Sequence, residues 1–315
     1  MGSYIDYYGL RDFPFGITPN IEYYCDFEGQ KDLLDNILVA VGEGDSFIKV
    51  IGGAGVGKTL LLRRLLASFD DGFVICCFFS SDFTATGLRI GVAENLGLVA
   101  QNYTPSRLLS KINDKLLDLN ATGKKFVLII DEAQSLTDDA LEALRMLTNL
   151  ETRNKKLLQV LMLAQPSLDD RLYAGSFEQF LQRITMSLYI MPLKTEDFNV
   201  YLIHRLVVAG HPSGLLFTDA AKKMLYKLSN GIPRIINVLC SKSLILSYQR
   251  GLPYVDVAEI NHCLSECCEI VPLSKQKYAR QERPFSFILV GMVFFIGVLC
   301  WLSFDFFNLH MRHII

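Results

Sequence analysis

The sequence has almost no charge excess: 31 Lys and Arg against 33 Asp and Glu give a net charge of −2, with a pI near 6.2. Proteins that coat nucleic acid carry a basic surplus that this chain as a whole lacks. Ten prolines and 22 aperiodic glycines exclude collagen-like and low-complexity chains. Charged residues are only 20% of the chain while half of it is apolar, the reverse of a disordered sequence. The cysteines (Cys25, Cys76, Cys77, Cys240, Cys263, Cys267, Cys268 and Cys300) include no C-x-x-C, so no zinc ribbon or thioredoxin-type pair is written here. Cys263, Cys267 and Cys268 share a predicted helix without a His or Cys partner at ligand spacing, and they read as buried reduced thiols. Residues 1–15 lack the basic and apolar regions of a secretory signal.

What is present is enough chain for one to three domains and for a large core. Short apolar runs at 46–51, 73–79, 126–130, 157–163 and 184–190 read as buried strands. Helical periodicity fills 59–68, 84–98, 106–119 and 138–150 between them. Strands alternating with helices predict an α/β domain, a parallel sheet covered on both faces. Beyond residue 193 only helical patterns follow, at 195–209, 218–229, 232–249 and 255–267. The expected organisation is an α/β domain over 1–192 and an all-helical domain over 193–270, with no internal repeat.

The C-terminal part is of another kind. Residues 285–304 (FSFILVGMVFFIGVLCWLSF) carry no charge and have the length of a membrane-spanning helix. A basic linker over 271–284, with Lys275, Lys277, Arg280 and Arg283, precedes it, whereas Asp305 and Arg312 are the only charges in the tail 305–315. The positive-inside rule then predicts a single-pass protein with its large N-terminal part in the cytoplasm and its short tail on the other side of the membrane.

Gly52-Gly53-Ala54-Gly55-Val56-Gly57-Lys58-Thr59 fits G-x-x-x-x-G-K-[ST] and lies between a predicted buried strand and a helix that continues with Leu60. Glycines let the backbone N–H groups curl around a β-phosphate, and the helix N-terminus that follows favours negative charge. Lys58 is expected to reach the β- and γ-phosphates and Thr59 to bind Mg²⁺. Asp131-Glu132 ends the third predicted strand: Asp131 is the candidate for holding Mg²⁺ and Glu132 for polarising the attacking water. The expected cofactors are ATP and Mg²⁺, the expected reaction ATP hydrolysis.

Gly231-Ile232-Pro233-Arg234, opening a helix of the second domain, resembles the sensor-2 motif of AAA+ ATPases, and the α/β-then-helical layout matches that superfamily. Tyr8-Gly9-Leu10, Pro14-Phe15, Thr18-Pro19, Gln165-Pro166, Gln182-Arg183 and the stretch GIPRIINVL narrow the resemblance to ATPases of the general secretion pathway protein A type, closest to the MSHA pilus biogenesis protein M group. It runs from about Tyr4 to Cys268. It implies that Arg234 touches the γ-phosphate from a helical lid and that Gln165 is the sensor-1 residue. It also implies that Arg183 is an arginine finger offered to a neighbouring subunit, with Arg171 as the competing choice. Phe13, Phe15, Tyr23 and Tyr24 either frame the adenine or pack under the sheet.

By the same resemblance the expected partners are further copies of the chain in a homo-oligomeric ring, a hexamer among the options, together with proteins of a pilus or secretion apparatus. The family usually continues past the membrane into a peptidoglycan-binding domain; the short tail here favours the pilus-type relative. Ala164 stands where the family pattern has Gly. A nucleotide-dependent scaffold or switch with slow turnover shares every motif. A DNA-dependent ATPase of the transposition type shares the lid motif. Paired basics (Arg63-Arg64, Lys124-Lys125, Lys155-Lys156 and Lys222-Lys223) are scattered, so nucleic acid is not an expected partner.

Overall fold

The computed structural model describes residues 3–44, 47–79, 84–152, 156–175 and 177–266. The chain divides into two units, Met1–Ser274 and Lys275–Ile315, and every described residue belongs to the first. The expected linker (from 271), membrane helix (285–304) and tail (305–315) lie outside the described residues. Among those described, no helix is long and apolar enough to cross a membrane.

Five strands form where the apolar runs predict them: β1 (Phe47–Gly52), β2 (Phe73–Phe78), β3 (Lys125–Ile130), β4 (Leu158–Ala164) and β5 (Met186–Ile190). Every pairing is parallel and the order is β2-β3-β4-β1-β5. Parallel neighbours need helical crossovers. The chain supplies them and their flanks as α1 (Tyr4–Tyr7), α2 (Glu28–Glu43), α3 (Lys58–Ser68), α4 (Ala85–Asn95), α5 (Pro105–Ala121), α6 (Asp138–Leu147), α7 (Pro166–Ala174) and α8 (Glu178–Leu181). The helices α9 (Thr195–Val208), α10 (Asp219–Ser229), α11 (Pro233–Gln249) and α12 (Val257–Glu266) complete the unit.

Alternate strand residues feed two cores. Phe47, Ile51, Leu128, Ile130, Val160 and Met162 meet Leu88, Ile112 and Leu144 of α4–α6 on one face. Ile48, Val50, Val127, Ile129 and Leu161 meet Ile37 of α2 and Leu62 and Leu65 of α3 on the other. In the middle of β1 stands a charge, Lys49, with no exposed surface; its Nζ donates to Asp169 Oδ1 of α7 at 2.5 Å and lies 5.7 Å from the Tyr173 ring. A buried ammonium persists only when so paired, and the pair ties β1 to the helix that follows β4.

A third core lies among α9–α12, built on Phe198, Leu206, Phe217, Leu225, Ile236 and Leu244. Tyr4, Tyr8, Leu10, Phe15 and Tyr23 from the start of the chain belong to it. The N-terminal segment thus packs with the helical part and not under the sheet, because both sheet faces are already covered. Arg205 of α9 fixes it there. Its Nε donates to the Pro14 carbonyl at 2.5 Å, its Nη2 to the Gly16 carbonyl at 3.2 Å, and its guanidinium lies 4.5 Å from the Tyr23 ring. Asn237 of α11 donates to Gly16 as well, and Tyr23 Oη donates to Asp12.

Candidate functional site

The strand order creates the site. β4 is inserted between β1 and β3, so the glycine loop after β1 and the acid pair after β3 flank the end of β4, about 10 Å apart on strand spacing. Gln165, the first residue after β4, therefore lies between them.

In the loop, Gly55 has φ +78° and Gly57 φ +111°, left-handed conformations that side chains oppose. Gly57 is the N-cap of α3, which has no capping side chain, so the first N–H groups of α3 are left to face an anion. The space a Cβ on Gly57 would occupy is open, whereas at Gly52 it would strike Val56 and Ile190 at 2.8 and 3.1 Å. Lys58 is buried and folds back over the loop, its Nζ donating to the Gly52 and Gly53 carbonyls at 2.8 and 3.0 Å. Thr59 Oγ1 donates to Asp131 Oδ2 at 3.2 Å.

Burial pushes the Lys58 ammonium below its ordinary range, against the opposing pull of Glu132 and Asp131. Burial likewise pushes the Asp131 carboxyl up, while hydrogen bonds from the Glu132 N–H and Thr59 counteract it. Both charges are thus under-solvated, the state in which a polyanion for Lys58 and a hard cation for Asp131 are favourable partners. The loop N–H groups, Lys58, Thr59 and Asp131 suit a nucleoside triphosphate with Mg²⁺.

Glu132 has φ 54° and ψ 40°, one of two non-glycine residues among those described with positive φ. Such backbone costs of order 1 kcal/mol or more and survives where its surroundings enforce it. Here the Ser135 hydroxyl and N–H both donate to the Glu132 carbonyl, at 2.7 and 2.9 Å, and the Glu132 N–H donates to Asp131 Oδ1 at 2.9 Å. The turn aims the Glu132 carboxylate toward the end of β4. Gln165 Nε2 donates to its Oε2 at 3.1 Å, and so does Gln134 Nε2 at 2.5 Å. Gln134 is a residue the sequence reading passes over: uncharged, and two positions after the acids, it becomes visible only when β4 brings Gln165 beside it.

The lid motif rests on the loop. Gly231 has φ +73°, and a Cβ there would stand 2.1 Å from the Leu193 carbonyl oxygen, which only glycine permits. The Arg234 N–H donates to the Gly55 carbonyl at 3.2 Å, which brings the start of α11 onto the glycine loop, and Arg234 itself is exposed. Beside the loop is an apolar cavity lined by Tyr23, Tyr24, Val56, Leu60, Tyr201 and Pro233. Of the four N-terminal aromatics, Tyr23 and Tyr24 line it. Phe15 instead packs against Phe217 in the helical core, and Phe13 is 58% exposed.

The two candidate fingers separate. Met186 pairs with Ile48 and Ile190 with Gly52, so Arg183, just before β5, lies at the opposite end of the sheet from its own glycine loop, roughly 15 Å away on strand rise. There it adds to the pull of Lys156 that holds the exposed Glu151 carboxyl below its usual range. Arg171 on α7 stays inside its own site. Its Nη1 donates to the Gln134 carbonyl at 3.3 Å, and its Nε is 3.7 Å from Asp138.

Residues 29–172 match the AAA domain family. General secretion pathway protein A of Aeromonas hydrophila is 36% identical over 249 residues, which cover 79% of this chain and 45% of that protein. The chain thus spans less than half the length of this relative. Among solved structures, Cdc6p from Pyrobaculum aerophilum is similar with a TM-score of 0.61 at 15% identity, covering 80% of this chain and 70% of that one. The Aeropyrum pernix ORC1 protein in complex with DNA has a TM-score of 0.59 at 16% identity, covering 84% and 71%. At those identities the two structures show a shared fold alone.

Proposed function

We propose that this chain, which carries an AAA domain over residues 29–172 and is related to general secretion pathway protein A, binds and hydrolyses ATP at the end of its sheet. The observation that carries the reading is the convergence of Lys58, Thr59, Asp131 and Glu132 around the end of β4. The loop N–H groups and Lys58 bind the phosphates. Thr59 and Asp131 would hold Mg²⁺, which would supply positive charge beside the phosphates. Glu132 orients the attacking water and accepts its proton, Gln165 stands between the two acids and the γ-phosphate, and Arg234 reaches the γ-phosphate from the lid. Tyr23, Tyr24, Leu60 and Pro233 enclose the adenine, which links base binding to the lid through the N-terminal segment.

The test is phosphate release by the full chain with ATP and Mg²⁺. Glu132→Gln, which keeps the size but removes the base, is expected to lower kcat by about 100-fold with ATP affinity retained. Equal rates for the two proteins would favour the slow switch or scaffold over the hydrolase.

The ATPase serves assembly of an envelope apparatus, a pilus or secretion system, as a ring of copies tethered to the inner membrane by residues 285–304. The apolar length of that segment and the basic residues before it support the tether. The full chain is expected to stay with the inner-membrane fraction after a carbonate wash, its N-terminal part shielded from protease added outside. Release by carbonate would remove the anchor from this reading.

A further inference from the structure

We infer that Gln134 is a positioning residue for hydrolysis, one that fixes which carboxylate oxygen of Glu132 faces the reaction; this rests on the ATPase reading above. The backbone N–H of Gln165 lies 3.0 Å from the Gln134 side chain and can only donate, so the atom facing it is Oε1. Nε2 is thereby turned to Glu132, where it donates to Oε2 at 2.5 Å. The Gln165 side chain donates to the same oxygen at 3.1 Å. Glu132, Gln134 and Gln165 form a closed ring of three hydrogen bonds in which both side-chain donors fall on Oε2. No hydrogen bond among the described residues falls on Oε1, which is left for a water.

The ring is itself anchored. Arg171 donates to the Gln134 carbonyl at 3.3 Å, and the left-handed turn at Glu132 keeps residues 132 to 135 in one tight arc. A carboxylate held by one charge-assisted amide bond can still rotate about its last torsion, whereas two donors on one oxygen select one orientation. Gln134 therefore acts through Glu132 and touches neither water nor phosphate. Because its own orientation is dictated by the backbone at the end of β4, any shift of Gln165 is transmitted to the base.

The test compares steady-state rates and ATP affinity of the full chain for wild type, Gln134→Ala, Gln134→Glu and Glu132→Gln/Gln134→Ala. Gln134→Ala is expected to lower kcat about 10- to 30-fold with ATP affinity changed less than threefold. Gln134→Glu, the same size, sets a second carboxylate against Glu132 and is expected to lose more, which keeps the question decidable if the alanine variant folds poorly. In the Glu132→Gln background the Gln134→Ala change is expected to have less than a twofold effect, since the oxygen it orients no longer acts as a base. Wild-type-like kcat in both single variants would overturn the inference and leave the ATPase reading intact. A loss equally large in the Glu132→Gln background would overturn it too, marking Gln134 as merely structural. A wild type that turns over no ATP would instead sink the ATPase reading, and this inference with it.

Discussion

Lys58→Ala is expected to reduce ATP turnover by about 10²- to 10⁴-fold, the equivalent of roughly 3–5 kcal/mol of lost phosphate and transition-state contact. The size follows from where the ammonium sits. Two of its three donors are used on the Gly52 and Gly53 carbonyls, which centres the charge over the loop and leaves a donor for a phosphate oxygen. The ammonium is buried, so little water screens it, and an anion arriving there relieves the desolvation that pushes its pKa down. Alanine removes the charge and also frees two carbonyls at the end of β1, so nucleotide affinity is expected to fall together with kcat. The measurement is phosphate release beside a nucleotide titration. Turnover within twofold of wild type would remove the loop from the site.

Much of the fold is legible in the sequence because burial on both faces writes a plain signal. β1, β3 and β4 are near-continuous aliphatic runs, and each ends on residues that cannot continue a strand: glycines after β1, two acids after β3, Gln-Pro after β4. The register of those ends puts the glycine loop and the acids on one edge, so Lys58, Thr59, Asp131 and Glu132 are legible with it. Two helices are harder to read. α2 is preceded by Phe27, which gives no capping hydrogen bond, and contains Gly29 and Gly42 on either side of the Leu33, Ile37, Val41 spacing that buries it. α7 has only nine residues, too few to establish a period.

Other features depend on which elements become neighbours. Lys49 is a lone charge in an apolar strand until Asp169 comes to it across the sheet. The N-terminal aromatics could line a cavity or fill a core, and the structure divides them, because Arg205 pins the Pro14–Gly16 stretch to α9 while Tyr23 and Tyr24 stay beside the glycine loop. Gln134 carries no charge and no spacing rule; its contact with Gln165 arises only because β4 pairs beside β3.

Arg183→Ala is expected to leave ATP affinity nearly unchanged and to cost about 10³-fold in turnover, with wild-type specific activity rising with protein concentration. Arg183 lies before β5, at the end of the sheet opposite its own glycine loop, so it can serve a γ-phosphate only in another copy of the chain. Arg171 is poorly placed for that task, since the Gln134 carbonyl and Asp138 engage it within its own site. Arg234, at the start of α11, donates its N–H to the Gly55 carbonyl, so it lies beside the glycine loop of its own chain. The two arginines therefore separate in a mixture. Arg183→Ala supplies an intact pocket and Lys58→Ala an intact finger, and their co-assembly is expected to restore part of the activity; Arg234→Ala mixed with Lys58→Ala is expected to restore none, because Lys58 and Arg234 are needed in one chain and neither protein has both. If the Arg183→Ala and Lys58→Ala proteins co-assemble and stay inactive, the shared site fails, Arg183 becomes a surface residue, and Arg171 is the next arginine to test.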